Sequence, residues 1–362
     1  MNQFRSLKVA AVQPQTRDSV SVVFDVPQAL RDEFVYEQGQ HLTLKADVAG
    51  EELRRSYSIC SAVQDNCLRV AVKRVAGGKF SNWINDELKA GMDLEVMAPS
   101  GRFRSDLAED NEKSYVAFAA GSGITPILSI IKTTLMAEPK SRFTLVYGNR
   151  SASSVLFKEE LEDLKDRYLD RFRIIFILSR EELDIELFHG RIDRERIEAL
   201  LKTWIDPKDI DMSFSCGPLS MMQDVKNVLI EHGVPRESIK QEMFATSVEE
   251  ASARADAGAA EEARALEGTC EVSVVLEGRR RSFAYDNPKL SLLDAAAEHG
   301  IELPFSCKAG VCSTCRCKVT EGEIDMNAAY ALEDYEIERG FALSCQSFPL
   351  SDTLTLDFDQ ET

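Results

Sequence analysis

The chain has 362 residues, of which 44% are hydrophobic and 29% charged, and these fractions are typical of a globular protein with two to three domains. Its formal net charge of −18 argues against nucleic acid or an anionic membrane surface as a partner. The first residues, "MNQFRSLKVAAVQPQ", lack the apolar run of a signal peptide or a membrane span. We therefore expect a cytoplasmic protein without membrane attachment.

Residues 1–108 read as a small antiparallel β-barrel. Segments such as "KVAAVQP", "SVVFDVP", "HLTLKAD" and "RVAVKRV" alternate apolar and polar residues and are separated by glycine and proline. One of these strands contains "LRRSYSIC", in which Arg55 and Tyr57 share a face and Ser58 follows. A guanidinium beside an aromatic ring suits the phosphate and the ring of a flavin, and the Ser58 hydroxyl can bond the ring edge.

That tetrapeptide is weak when taken alone, because arginine and tyrosine in a strand are most often surface residues. The stretch "GGKFSNWINDEL" strengthens the flavin interpretation. Gly78 and Ser81 lie at a predicted helix start, where free backbone N–H groups suit a pyrophosphate.

Residues 109–245 change to an alternation of strands and helices, which predicts a parallel α/β sheet with right-handed crossovers. In "YVAFAAGSGITPILSIIKTTL" a buried strand is followed by a glycine turn and a helix. The turn does not match G-x-G-x-x-G, the standard Rossmann fingerprint. Gly121 and Gly123 let the backbone approach a phosphate at a helix N-terminus, in the turn "GSGITP" that also contains Thr125 and Pro126. Later strand ends, where open α/β sheets bind ligands, hold Arg150, Ser179, Arg180, Cys216, Gly217 and Pro218.

Residues 246–268, "TSVEEASARADAGAAEEARALEG", form a predicted flexible linker, because the segment has no aromatic residue and too few large apolar residues for a packed face. Residues 269–362 form a predicted C-terminal module, in which "NPKLSLLDAAAEHG" predicts a helix with a proline, Pro288, near its start. From Cys270 onward, 8 Lys or Arg stand against 17 Asp or Glu, a net charge of −9. Such a surface suits steering toward a basic partner, or is an ordinary solvated acidic surface.

Four cysteines of the C-terminal module match the spacing of a plant-type 2Fe–2S centre. Cys307, Cys312 and Cys315 read C-x4-C-x2-C, and Cys345 follows after a long gap, in a distant predicted strand. A structural zinc site usually has two C-x2-C pairs, and only one is present. Cys317, two positions after Cys315 in a predicted strand, is expected to be a small buried residue rather than a ligand.

These motifs resemble, in one order and over essentially the whole chain, the ferredoxin-NADP reductase-like flavoproteins with a C-terminal ferredoxin domain. The shared motifs are "RRSYS", "GGKFS", "GSGITP", "CGP" and the four-cysteine pattern. Within that family, "YGNRSASSVLF", "FHGRID" and "GFALSCQS" are similar to reductase subunits of phenylacetyl-CoA epoxidases. The alternatives are the reductase of a steroid or Rieske-type aromatic-ring oxygenase, and a redox-sensing protein that keeps its cluster without turnover.

The resemblance implies an antiparallel flavin barrel, an α/β nucleotide domain and a C-terminal β-grasp ferredoxin domain. It implies FAD, a 2Fe–2S cluster and NADPH as cofactors, with NADH open as an alternative, and the subunits of a di-iron oxygenase as the partner. Its flavin contacts would be Arg55, Tyr57, Ser58, Gly78, Ser81 and Phe244. Its nucleotide contacts would be Gly121, Gly123, Thr125, Pro126, Arg150, Ser179, Arg180, Cys216, Gly217 and Pro218. The cluster ligands would be Cys307, Cys312, Cys315 and Cys345.

Among these residues, Ser58, Thr125 and Cys216 would lie where hydride passes from nicotinamide to flavin. Hydride transfer requires no general acid or base, in keeping with four scattered histidines and no nucleophile–base motif. Arg180 would read the 2′-phosphate of NADPH, with Arg150 as the second candidate. Glu181 and Glu182 follow Arg180 and oppose that assignment, because an acidic residue favours NADH.

Overall fold

The computed structural model describes residues 3–182, 184–244 and 269–360. The chain divides into two compact units, Met1–Glu242 and Met243–Thr362. The predicted linker, residues 246–268, lies outside the described residues.

Six antiparallel strands form the barrel of the first unit: β1 (Phe4–Thr16), β2 (Ser19–Asp25), β3 (His41–Val48), β4 (Glu51–Ser58), β5 (Leu68–Lys73) and β6 (Asp93–Met97). Their order is β4-β3-β6-β1-β2-β5, and a bridge between Ile59 and Val70 joins the two outer strands. Closing the sheet removes its open edges and encloses an apolar core. Helix α1 (Lys79–Asp86) packs on that core through Phe80 and Ile84.

The rest of the first unit is a five-stranded parallel sheet with its crossover helices. The strands are β7 (Ser114–Ala120), β8 (Arg142–Asn149), β9 (Phe172–Leu178), β10 (Met212–Cys216) and β11 (Ile239–Glu242). The helices are α2 (Ile124–Ala137), α3 (Lys158–Arg167), α4 (Arg194–Thr203) and α5 (Leu219–Glu231). The order β11-β10-β7-β8-β9 places the switch point of the sheet between β7 and β10, where ligands of open α/β sheets bind.

The second unit contains a mixed sheet and a two-stranded sheet. Its strands are β12 (Cys270–Leu276), β13 (Arg279–Tyr285), β14 (Arg316–Glu321), β15 (Ile324–Met326), β16 (Phe341–Leu343), β17 (Ser347–Pro349) and β18 (Thr353–Asp357). The order is β13-β12-β18-β14-β16, with β15 paired to β17. Helices α6 (Leu292–Glu298) and α7 (Asp334–Glu338) complete the unit. The outer strand β13 begins with three exposed arginines, Arg279, Arg280 and Arg281.

Two local predictions for the second unit differ from the structure. Helix α6 begins at Leu292 and not near Pro288, because Ser291 caps it by accepting a hydrogen bond from the Asp294 N–H at 3.2 Å. The proline lies in the turn before that cap. Cys345 lies in a short 3-10 turn between β16 and β17 and not in a strand.

Candidate functional site

The predicted flavin residues lie at the end of strand β4. Tyr57 stacks on Phe80 of α1 with ring centroids 6.2 Å apart, so the helix fixes the ring orientation. Arg55 is exposed, and its guanidinium donates to the Arg54 carbonyl at 2.8 Å. Ser58 is 3% exposed. An exposed cation, a braced aromatic ring and a buried hydroxyl thus follow one another on one strand.

Gly78 and Ser81 lie at the first turn of α1. Gly78 is the N-cap residue, and a Cβ there would lie 2.8 Å from the Ser81 hydroxyl oxygen. Ser81 is buried and accepts a hydrogen bond from the Val75 N–H at 3.1 Å. A side chain at Gly78 would crowd Ser81 and Val75, so glycine keeps the backbone uncovered at a helix start, as a phosphate site requires.

The glycine turn after β7 touches the loop after β10. A Cβ on Gly123 would lie 2.0 Å from the Cys216 carbonyl oxygen and 3.1 Å from the Gly217 nitrogen. Gly121 has φ +55°, and nothing lies within 4 Å of a Cβ there, so open space stands before the turn. The Thr125 hydroxyl donates to the Ser122 carbonyl at 3.0 Å and closes the first turn of α2. Two predicted segments are therefore brought together at the switch point of the sheet.

Glu242 completes this contact and was missed by the sequence analysis. The Ser58 hydroxyl donates to Glu242 Oε2 at 3.0 Å, and strand pairing sets Glu242 beside Cys216. Burial, reinforced by the charge of Glu242, holds the pKa of the Cys216 thiol well above its ordinary value. The thiol is therefore neutral, and the hydrogen bond between Ser58 and Glu242 joins the barrel to the parallel sheet beside it. No motif indicates Glu242, which is one of 61 acidic residues.

Phe244, the last predicted flavin contact, follows β11 and is half-buried. It belongs to the second compact unit, two residues past the end of the first. Its role as a cover for the flavin ring stays a prediction.

The predicted 2′-phosphate residues end neighbouring strands. Ser179 donates from its backbone to the Asn149 carbonyl at 2.9 Å, and Arg180 to that of Arg150 at 2.8 Å. Both arginine side chains are exposed, and neither forms an ion pair with another described residue. The carboxylate of Glu181 accepts from the Ala152 N–H at 2.7 Å. That carboxylate is held by a backbone donor, and both arginines follow strands at the carboxyl edge of the sheet.

The four predicted cluster cysteines form two close pairs. Cys307 hydrogen-bonds to Cys312, and Cys315 hydrogen-bonds to Cys345. These contacts, together with burial, raise the pKa of the Cys307 thiol and of the Cys315 thiol. Among the described residues, no group of three or more His, Cys, Asp or Glu side chains is suited to one metal ion. A 2Fe–2S cluster instead takes two cysteines at each iron, which is the arrangement of these pairs.

The loop around the cysteines is shaped for close wrapping. Lys308, Gly310 and Ser313 have φ of 52°, 72° and 50°, and the Ala309 N–H donates to Cys307 Sγ at 3.3 Å. Backbone donors aimed at sulfur stabilise thiolate ligands. The residues present therefore fit a 2Fe–2S cluster.

Cys317, the additional cysteine, lies in β14 and is 2% exposed. Its Sγ contacts the Ala342 carbonyl oxygen at 3.8 Å, and burial raises the pKa of the thiol to about 12. These surroundings are those of a buried neutral thiol.

Three family models match consecutive parts of the chain: an oxidoreductase FAD-binding domain over residues 6–105, an oxidoreductase NAD-binding domain over 118–227, and a 2Fe-2S iron-sulfur cluster binding domain over 268–350. The chain is 43% identical over 359 residues to a subunit of the 1,2-phenylacetyl-CoA epoxidase of Escherichia coli (strain K12), with 99% of each chain covered. The chain belongs to the oxygenase reductase family.

Other oxygenase reductases are also similar. The ferredoxin reductase component of the 3-ketosteroid-9-alpha-monooxygenase of Rhodococcus rhodochrous is 35% identical, covering 97% of this chain and 96% of its own. The solved structure of phthalate dioxygenase reductase, described as a modular structure for electron transfer from pyridine nucleotides to [2Fe-2S], superposes with a TM-score of 0.57 at 24% identity. It covers 98% of both chains, a likeness of fold.

The predicted family, the fold class and the FAD, nucleotide and 2Fe–2S cofactors of an electron-transfer oxidoreductase are thereby confirmed. An oxygenase reductase also implies NAD(P)H and an oxygenase as partners. The domain bounds, the role of each site residue and the di-iron nature of the oxygenase stay predictions. Within the described part of the chain, no helix combines the length and apolarity that crossing a membrane requires.

Proposed function

We propose that this chain is the reductase component that passes electrons from NADPH through FAD and a 2Fe–2S cluster to a separate di-iron oxygenase acting on phenylacetyl-CoA. The 43% identity over 99% of both chains supports this choice of partner over a ketosteroid oxygenase, for which the corresponding identity is 35%. The chain itself shows no paired E-x-x-H motif, so oxygen activation is assigned to the partner.

The meeting of Ser58, Cys216 and Glu242 carries the catalytic part of the proposal. Ser58 and Cys216 come from the flavin barrel and the nucleotide sheet, and they are 3% and 0% exposed. Hydride transfer needs two rings held face to face away from water, and the contact between the barrel and the sheet beside these two buried residues would provide that setting. Flavin, when bound, accepts a hydride and releases single electrons, the form in which an iron–sulfur cluster takes them.

Each side chain then has a separate part. Arg55 and the backbone of residues 78–81 would bind flavin phosphates, and the braced ring of Tyr57 would pack against the flavin. Glu242 would fix the Ser58 hydroxyl, leaving its oxygen able to accept a further hydrogen bond. The neutral Cys216 thiol would border the nicotinamide without attacking it. The glycine turn would hold the NADPH pyrophosphate at the start of α2.

Reconstitution tests the proposal. The purified protein should oxidise NADPH with cytochrome c as acceptor, and it should support substrate turnover by a purified phenylacetyl-CoA epoxidase oxygenase. A ketosteroid oxygenase, supplied in equal amount, should receive electrons far more slowly. Faster coupling to the ketosteroid enzyme would reassign the partner. A chain that reduces no acceptor with NADPH would instead be the redox sensor.

A further inference from the structure

Helix α2 is attached to the barrel along one face. Three side chains of the helix, at spacings of three and four residues, bond the barrel loop that follows β4. The contacts are Ser129 Oγ to the Ser61 carbonyl at 2.7 Å, Thr133 Oγ1 from the Val63 N–H at 3.2 Å, and Lys132 Nζ to Asp65 Oδ2 at 2.6 Å. The same helix begins at the glycine turn, so its far end is tied to the flavin barrel.

Lys132 is the buried centre of a partly exposed ionic group. It is 8% exposed, and its Nζ also lies 2.7 Å from Glu160 Oε1. Glu160 in turn binds Arg69 at 2.8 Å. Burial opposes the charge of Lys132, but the hydrogen bonds to Asp65 and Glu160 outweigh it and raise the pKa. Two cations and two anions therefore form a neutral quartet, with one cation and one anion from each side of the contact.

Such a group contributes little to stability, since exposed ion pairs add about 0–1 kcal/mol and even a buried ionic network can often be replaced by apolar side chains without loss. Its geometry is more informative. Lys132 follows Thr125 by seven residues, two helical turns or about 10 Å, and Asp65 follows Ser58 by seven residues. The ion pair between Lys132 and Asp65 thus joins the segment that carries Thr125 to the segment that carries Ser58, seven residues beyond each of these two site residues.

We propose that the quartet of Lys132, Asp65, Glu160 and Arg69 is a positioning device for hydride transfer, which sets α2 against the barrel so that the nicotinamide and flavin sites stay in register. The inference rests on the proposed transfer from NADPH to FAD. A helix is stiff over two turns, so displacement at Lys132 reaches Thr125. Misplacing reacting atoms by about 1 Å costs on the order of 100-fold in rate.

The test uses the charge-balanced double variant Lys132→Met with Asp65→Asn, which leaves the Glu160–Arg69 pair in place. The holoenzyme is mixed with NADPH in an anaerobic stopped-flow instrument, and flavin reduction is followed with protiated and C4-deuterated nucleotide. The expected result is full FAD and cluster content and NADP+ affinity within about twofold of the parent. Flavin reduction should be roughly 10- to 100-fold slower, with a changed isotope effect.

The matched control removes another ion pair, Arg5→Met with Glu33→Gln, whose partners lie 2.9 Å apart within the barrel. It should reduce flavin at the parental rate. A double variant at Lys132 and Asp65 that folds and transfers hydride at the parental rate, whatever its thermal stability, overturns the positioning role.

If that double variant loses FAD, the single change Asp65→Asn decides by the same criteria, because it removes one charge of the quartet and leaves Lys132 bonded to Glu160. A slowing of roughly threefold supports the positioning role, and an unchanged rate overturns it. A parent protein that does not reduce its flavin with NADPH would instead refute the proposed function.

Discussion

Replacing Arg180 with alanine should change the choice between the two nicotinamide nucleotides. Arg180 and Arg150 end adjacent parallel strands, and a backbone hydrogen bond of 2.8 Å ties them together. The 2′-phosphate adds nearly two negative charges to the adenosine ribose of NADPH, and NADH lacks it. Only the phosphorylated nucleotide should therefore lose affinity when one cation of this pair is removed.

The magnitude follows from the exposure of Arg180. A hydrogen bond to a charged group contributes about 1.5–3 kcal/mol when sheltered, whereas an exposed ion pair contributes about 0.2–1 kcal/mol. Because Arg180 is exposed but faces a doubly charged group, we expect a loss of about 1–2 kcal/mol. That corresponds to a fall of roughly 5- to 30-fold in kcat/KM for NADPH, with NADH changed less than about twofold.

Steady-state kinetics with both nucleotides, at low and at moderate ionic strength, measure this effect. Arg142→Ala is the matched control, because Arg142 is also exposed but begins β8, at the opposite edge of the sheet. The control should leave both constants unchanged. An equal fall for NADPH and NADH in Arg180→Ala would refute the reasoning and make Arg150 the residue to test.

Three further predictions concern the cysteines and the second unit. Cys345→Ser should abolish the electron paramagnetic resonance signal of the reduced 2Fe–2S cluster, whereas Cys317→Ser should keep it; an intact signal in the first variant would contradict the ligand assignment. Glu336→Ala removes a fully buried carboxylate that binds Arg316 at 2.8 Å, and should lower the free energy of unfolding by about 3 kcal/mol. The cluster signal should then disappear at a lower urea concentration, and Glu336→Gln should lower the free energy of unfolding by less. The raised pKa of Cys216 keeps its thiol protonated in the folded state, whereas the unfolded chain loses that proton above about pH 9. The contribution of this thiol to the free energy of unfolding is therefore complete below pH 9 and decreases as the pH rises further. Cys216→Ser should accordingly reduce the fall of the urea midpoint at alkaline pH.

The sequence predicts those parts of the site that depend on local backbone chemistry. Glycine turns, a strand that ends in R-x-Y-S and a fixed cysteine spacing each need particular residue types at short separation, so they are visible in a single chain. The parallel sheet follows from its alternation of strands and helices in the same way.

Contacts between distant segments could not be predicted. Ser58 and Glu242 are 184 residues apart, and Lys132 and Asp65 are 67 apart. A glutamate at a strand end or a lysine on a helix reads as a solvated surface residue, and only the folded structure shows that Lys132 is buried and that Glu242 bonds Ser58. Helix α4 was likewise not predicted, although Asp193 caps it by accepting from the Arg196 N–H at 3.1 Å.

The three arginines on β13 bear on whether the second unit aggregates at high protein concentration. An outer strand offers unpaired backbone groups to any other strand, and such edges nucleate aggregation unless they are charged or short. In this unit one outer strand begins with Arg279, Arg280 and Arg281, and the other, β16, is only three residues long. Replacing these arginines with β-branched apolar residues would remove the charged protection and expose the sheet to edge-to-edge association between copies.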